Sequence, residues 1–84
     1  MDYSYVLSGE SAEFFSELPA RQREKCLRIF GSLANDPYQV GGKVTEDSTG
    51  REIQHQIFDK WEVSFWADHA VEEIRIVGLR VFRP

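Results

Sequence analysis

Hydrophobic and polar residues alternate in three consecutive segments in the last third of the sequence. The segments are Glu52–Phe58, Trp61–Ala67 and Glu73–Phe82. Alternation with a period of two indicates β-strands that bury one face. Only Asp59 and Lys60 separate the first two segments, and a short gap that begins at Asp68 precedes the third. Connections this short predict an antiparallel meander.

The first part of the chain predicts one strand and two helices. Residues 3–7 alternate and indicate a short strand, and Ser8 or Ser11 is a suitable N-cap for the helix that follows. Helices are predicted over Ala12–Leu18 and over Ala20–Ala34, where hydrophobic residues recur every three or four positions. The order strand–helix–helix–strand–strand–strand predicts one α+β domain over residues 1–84. In it, two N-terminal helices pack on a mainly antiparallel four-stranded sheet.

Residues 38–50 are expected to form the least regular part of the chain. Gly41-Gly42 and the turn-forming residues 47–50 favour a loop, with a short extended piece at Lys43-Val44. Gly41-Gly42-Lys43 is not a phosphate-binding loop, because the spaced glycines and the following Ser or Thr are missing.

Composition narrows the class of protein. The formal net charge of −4 opposes non-specific nucleic-acid binding, although the basic residues near the end leave room for a weak local basic face. The single cysteine, Cys26, cannot form an internal disulfide, which suits a reducing cytoplasm. No hydrophobic run is long enough to span a membrane, and no membrane association is expected. Two histidines without a Cys or Asp cluster at ligand spacing make a metal site improbable.

Several short segments, spread over nearly the whole chain, together resemble one family. They are Tyr3-Ser4-Tyr5-Val6-Leu7-Ser8, the helix that ends in Leu18-Pro19, the second helix with its stop at Asn35-Asp36-Pro37, the segment Ile57–Phe65 and the closing segment Ile74–Arg80. In order and spacing they resemble the RelE/ParE superfamily of toxins from bacterial and archaeal toxin–antitoxin pairs.

The resemblance implies a toxin that is held by a cognate antitoxin, needs no cofactor and is a monomer or weak dimer when free. In the RelE branch, the toxin enters the ribosome and cleaves mRNA. In the ParE branch, it poisons DNA gyrase and is not a nuclease. A non-catalytic interaction domain that has kept the fold is a third hypothesis.

Cleavage of RNA through its own 2′-hydroxyl needs a base, an acid and cationic stabilisation of the phosphorane. His55 is the candidate base or acid, and Lys43, Arg51 and Arg80 are candidates for stabilising charge. The candidate partner-binding residues are Trp66, Arg75 and Arg83. The sequence departs from the family where Glu62 replaces a common arginine, Leu79 replaces a histidine, and no tyrosine follows Arg80.

Each candidate also has an ordinary structural interpretation. His55 shares strand parity with Ile53 and Ile57, which favours a residue covered by the helices. Arg80 is equally compatible with a surface ion pair to an acid such as Glu62, and His69 with a turn residue. Trp61 and Trp66 lie on opposite faces of one strand, so at least one of them lies outside the main core.

The polar face of the second helix also allows two interpretations. It carries four basic residues and one acid: Arg21, Arg23, Glu24, Lys25 and Arg28. A solvated helix surface is one interpretation, and a rim that meets an acidic partner is the other.

Overall fold

Two helices pack on one face of a five-stranded sheet in a computed structural model that describes residues 3–82. The elements are β1 (Ser4–Leu7), α1 (Gly9–Ser16), α2 (Ala20–Asn35), β2 (Lys43–Glu46), β3 (Glu52–Phe58), β4 (Trp61–Asp68) and β5 (Glu73–Val81). The strand order is β1-β5-β4-β3-β2, with β1 parallel to β5 and the remaining pairs antiparallel. The α+β class and the meander are therefore confirmed.

The sheet has one strand more than the four that were expected. The extra strand is β2, which pairs with β3 so that Lys43 lies opposite His55 and Glu46 opposite Glu52. The short extended piece anticipated at Lys43-Val44 is this edge strand.

The helix ends follow from local chemistry. Ser8 caps α1, because its hydroxyl accepts a hydrogen bond of 3.2 Å from the Ser11 amide. The helix begins at Gly9, three residues before the predicted start. Pro19 precedes α2 in an extended conformation, where its missing N–H costs no helical hydrogen bond.

The core lies between α2 and the middle of the sheet. Its fully buried side chains include Cys26 and Phe30 from α2, Trp61 and Val63 from β4, and Ile76 from β5. The α2 stripe is narrower than predicted: Leu27, which was assigned to it, is 43% exposed.

A close approach of backbones fixes the segment after α2. A Cβ atom on Gly41 would lie 2.7 Å from the carbonyl oxygen of His55, so only glycine fits there. The amides of Gly41 and Gly42 donate hydrogen bonds of 2.8 Å to the side chains of Gln54 and Gln56. This segment therefore covers β3, while the helices contact β1 and β5.

Candidate functional site

The face of the sheet that points away from the helices, here called the open face, carries most of the candidate residues. Trp61, Val63 and Phe65 of β4 are buried in the core. Because successive side chains of a strand alternate, the remaining β4 side chains, Glu62, Ser64 and Trp66, lie on the open face. Directly paired residues of neighbouring strands share a face. Their partners Ile57, His55, Arg80, Gly78 and Arg75 lie there too.

The expectation that the helices cover His55 is wrong. In β3 it is Gln54 and Gln56 that face the helical side, where they accept the hydrogen bonds from Gly41 and Gly42. Ile57, which has the parity of His55, is 38% exposed. The parity argument failed because β3 lies beyond the helices, so its helical side is covered by a loop that polar side chains anchor.

His55 is half-buried and both of its ring nitrogens have hydrogen-bond partners. Nδ1 is 2.8 Å from the Ser64 hydroxyl on β4, and Nε2 is 2.7 Å from the Thr45 hydroxyl on β2. Lys43 lies opposite His55 in the β2–β3 register and is exposed. The imidazole is therefore fixed in orientation beside a flexible cation.

Gly78 makes room for this arrangement. It lies opposite Ser64, next to an irregularity at which β5 has one residue more than β4. A Cβ atom on Gly78 would lie 3.1 Å from both Cβ and Oγ of Ser64. The glycine expected at a bulge is thus found there, and its missing side chain leaves space for the serine that holds His55.

Arg80 forms an ion pair on the open face. Its Nε donates a hydrogen bond to Oε1 of Glu62, the directly opposite residue of β4. The Arg80 side chain is 71% exposed, so the pair lies in a medium where salt and water weaken it.

Arg51 is held at the other end of the open face, away from Arg80. Its Cζ atom lies 3.9 Å from the centroid of the Trp66 ring, a cation–π distance. Its backbone amide donates to the Asp47 carboxylate at 3.0 Å, and the two side chains form an ion pair of 3.6 Å. Hydrogen bonds from Thr49 and the charge of Arg51 hold the pKa of Asp47 below its usual value.

Arg75 lies beside the same tryptophan. It forms ion pairs with Glu73 at 2.9 Å and with Asp68 at 3.8 Å, and its Cζ is 5.9 Å from the Trp66 ring centroid. Its Nε is buried without a hydrogen-bond partner among residues 3–82. Arg83, the third candidate partner-binding residue, lies outside the described residues.

The structure thus divides the candidates into two groups. Lys43 and His55 are adjacent, and Arg80 lies two strands from His55, in the next cross-strand row. Arg51 belongs with Trp66 and Arg75. The two groups lie at different ends of the sheet, because Glu62, the partner of Arg80, and Trp66, the partner of Arg51, are four residues apart on β4, about 13 Å along a strand.

The charge on the open face is nearly balanced. All three arginines placed there form ion pairs with carboxylates, and Lys43 has no ion pair within residues 3–82. The local basic face considered from the sequence is therefore weak. Over the same residues there is no group of three or more His, Cys, Asp or Glu that could hold a metal ion.

Sequence reasoning missed the two hydroxyl partners of His55. A two-residue turn at Asp59-Lys60 sets the register of the hairpin, so counting back from it would have placed Ser64 opposite His55. Thr45 gave no such signal, because β2 was not expected as a paired strand.

His69 was expected in a turn and lies in the turn after β4. It forms an aromatic cluster with Tyr3 and Tyr38. Its Nδ1 and the Tyr3 hydroxyl share a hydrogen bond of 2.7 Å, and its ring stacks on that of Tyr38 at 4.7 Å. A hydrogen bond with the Tyr38 side chain raises the pKa of Tyr3 to about 12.

In the part of the chain from residue 3 to residue 82, no helix is long and apolar enough to cross a membrane. No protein-family model and no curated protein sequence matches this chain.

Solved structures do match it. A chain of the toxin–antitoxin complex RelBE2 from Mycobacterium tuberculosis is 14% identical, with a TM-score of 0.79 over 98% of this chain and 100% of that one. A chain of the archaeal RelE–RelB complex from Pyrococcus horikoshii OT3 is also 14% identical, with a TM-score of 0.72 over 96% of each chain. The resemblance to RelE-type toxins that the sequence suggested is therefore confirmed at the level of the fold.

Proposed function

We propose that this protein is the toxin of a type II toxin–antitoxin pair and that its open face carries the toxic activity. The observation that supports this is the RelE-like fold, which extends over 98% of this chain and 100% of the matched chain. Both matched structures come from complexes with an antitoxin. A single domain over residues 1–84, bound to a cognate antitoxin in the cytoplasm, is the corresponding proposal here.

A hydrophobic part of the open face supports binding of a protein partner. Val6 and Val77 are each nearly 40% exposed and, together with Trp66 and Arg75, line a cavity of about 250 Å³. Aromatic and arginine side chains are the usual anchors of protein interfaces. The Arg75 side chain is 41% exposed, so the outer part of its guanidinium is accessible to a partner.

The finer proposal is that the toxin cleaves mRNA on the ribosome. His55 would accept or donate the proton, and Lys43 and Arg80 would stabilise the charge that develops on the phosphorane. Lys43 and His55 lie opposite each other on β2 and β3, whereas Arg80 lies on β5, two strands from His55 and one row along, so its long side chain would have to extend across β4 to reach the same phosphate. Arg51, stacked on Trp66, would instead hold the RNA or a protein partner.

The ion pairs of the open face support a second candidate, a gyrase-directed or purely binding toxin. A phosphate must compete with Glu62 for Arg80, and the repulsion between two anions opposes it. A protein target whose charges alternate in sign suits such a balanced face better than a nucleic acid does.

Controlled expression in a bacterial host separates these candidates. Growth arrest with cleaved mRNA supports the nuclease, and arrest with intact mRNA and damaged gyrase–DNA complexes supports the second candidate. His55→Ala should abolish mRNA cleavage, whereas His69→Ala, a histidine outside the site, should leave it intact. Normal growth with well-expressed, folded protein would contradict the toxin proposal and favour a non-catalytic interaction domain.

A further inference from the structure

A groove lies between α2 and the β3–β4 hairpin, on the side of the molecule away from the open face. It has a volume of about 300 Å³ and is lined by Lys25, Arg28, Ile29, Phe58, Asp59 and Trp61. Its floor is hydrophobic, whereas Lys25 and Arg28 at its border are exposed. Such a groove has room for one large side chain of a ligand. Its charged border residues can bind the ligand groups on either side of that side chain.

Trp61, one of the lining residues, carries a donor without a partner in the described part of the chain. Its side chain is completely buried, and its Nε1–H has no hydrogen-bond partner among residues 3–82. An indole N–H in a protein interior usually has an acceptor, because leaving a buried donor unpaired is unfavourable. The donor therefore favours a ligand that brings an oxygen acceptor.

The cations around the groove, Lys25, Arg28 and Lys60, have no ion pair within the described residues, in contrast to the three arginines of the open face. The Lys60 ammonium lies 5.2 Å from the centroid of the Trp61 ring. The lining itself contains two cations and one acid, Asp59, and Lys60 adds a third cation beside Trp61.

We propose that this groove binds an acidic segment of a protein partner. One hydrophobic side chain of the segment fills the groove above Ile29 and Phe58, and carboxylates on either side of it pair with Lys25 and Arg28. A backbone carbonyl of the segment accepts the hydrogen bond from Trp61. The indole is completely buried in the free chain, so the side chains that cover it must move when the segment binds.

A peptide fits these features better than a nucleic acid. Hydrophobic lining in a groove of this volume is typical of side-chain recognition, whereas nucleic-acid affinity comes mainly from many phosphate contacts. Two lining cations offset by Asp59, in a chain of net charge −4, provide few such contacts. The inference goes beyond the proposed toxin activity and does not depend on it.

The test uses a phage-displayed library of 12-residue peptides panned on the folded chain. We expect enrichment of peptides that carry Asp or Glu on both sides of a Leu, Ile or Phe. Arg28→Glu should weaken the best peptide by about tenfold or more, as expected for loss and reversal of an ion pair. Arg21→Glu is the matched control, because it makes the same change on α2 outside the groove lining and should have less than about a twofold effect.

An NMR measurement reports on the donor directly. In Trp66→Phe protein the single remaining indole N–H signal belongs to Trp61, and it should move on addition of the enriched peptide. An unchanged signal, equal effects of the two arginine substitutions, or enrichment without acidic residues would overturn the proposal. So would binding of a 12-nucleotide oligouridine that Arg28→Glu abolishes while no acidic peptide binds.

Discussion

Glu62 and Arg80 lie directly opposite each other on β4 and β5 and form an ion pair on the open face. The resemblance to RelE-type toxins implies an arginine at the position of Glu62, so the acid found there both replaces a cation and pairs with Arg80. The Glu62 side chain is only 16% exposed, whereas that of Arg80 is 71% exposed. Arg80 can therefore leave the pair for a ligand, but the carboxylate stays behind.

This geometry predicts opposite effects for substitutions of the two partners. Arg80→Ala should abolish toxicity in the expression assay while moving the melting temperature by only a few degrees, since an exposed pair contributes about 0–1 kcal/mol. Glu62→Gln should increase toxicity and mRNA cleavage, because Arg80 then faces a neutral amide. Glu73→Gln is the control, as it removes a carboxylate from the separate ion pair of Arg75. Full toxicity of Arg80→Ala protein would eliminate Arg80 from the site.

The close contact between Gly78 and Ser64 predicts that any larger residue at position 78 destabilises the protein and disturbs His55. In Gly78→Ala, the new methyl group pushes Ser64 away from His55, because both strands are paired and neither can easily yield. We expect a loss of about 1 kcal/mol or more in the free energy of unfolding and altered imidazole signals in NMR spectra.

The control is Gly31→Ala, at a helical glycine where a Cβ atom would have nothing within 4 Å. That substitution should stabilise the protein by about 0.5–1 kcal/mol. Adding Ser64→Gly to Gly78→Ala should recover part of the loss, since the colliding atoms are then gone. A loss that is unchanged by Ser64→Gly would mean that the cost arises elsewhere.

Most of the fold could be predicted from the sequence, because period and turn chemistry act locally. The β3–β4 hairpin is the best example: alternation defined its strands, and the short connection at Asp59 and Lys60 defined their pairing. The strand β2 was harder, since four residues at Lys43–Glu46 carry little periodic signal and form a strand only by pairing with β3.

The candidate site was less predictable, because it depends on which face of each strand is covered. His55 was placed on the wrong face, since the hydrophobic neighbours Ile53 and Ile57 suggested burial under helices. Ile53 is in fact buried outside the main core cluster of the described residues, on the open face. Hydrophobic alternation shows that two faces differ, but not which one a neighbouring layer covers.

The turn at Asp47 should bind Arg51 less well at low pH, because protonation removes the charge of the Asp47 carboxylate. Oδ1 of Asp47 accepts hydrogen bonds from the Thr49 hydroxyl at 2.6 Å and from the Thr49 amide at 2.9 Å. Carboxyl titration by NMR should give a pKa below 3.8, with the Thr49 hydroxyl as its largest cause. Thr49→Ala should return the pKa toward its ordinary value.

The effect of Asp47 on stability follows from the direction of that shift. Because its pKa is lower in the folded protein, Asp47 adds stability at pH values above its unfolded pKa, and this contribution is lost as the pH falls through the folded value. Asp47→Asn protein should therefore lose less stability than the wild type in urea unfolding as the pH falls below about 4. Identical acid dependence in the two proteins would show that the Asp47 hydrogen bonds are not formed in the folded protein in solution.

The Tyr3 hydroxyl predicts a corresponding effect at alkaline pH. The pKa of Tyr3 is raised from 10.0 to about 12, first by the hydrogen bond with Tyr38 and then by burial. The phenolate absorbance of the wild type minus that of Tyr3→Phe protein should therefore rise near pH 12, and Tyr38→Phe should move that rise toward pH 10.

Because the pKa of Tyr3 is higher in the folded protein than in the unfolded one, its stabilising contribution is complete below pH 10 and is lost as the pH rises through about 12. Tyr3→Phe protein should lose less stability than the wild type across that interval, and a difference spectrum that rises at pH 10 would contradict the cluster of Tyr3, Tyr38 and His69.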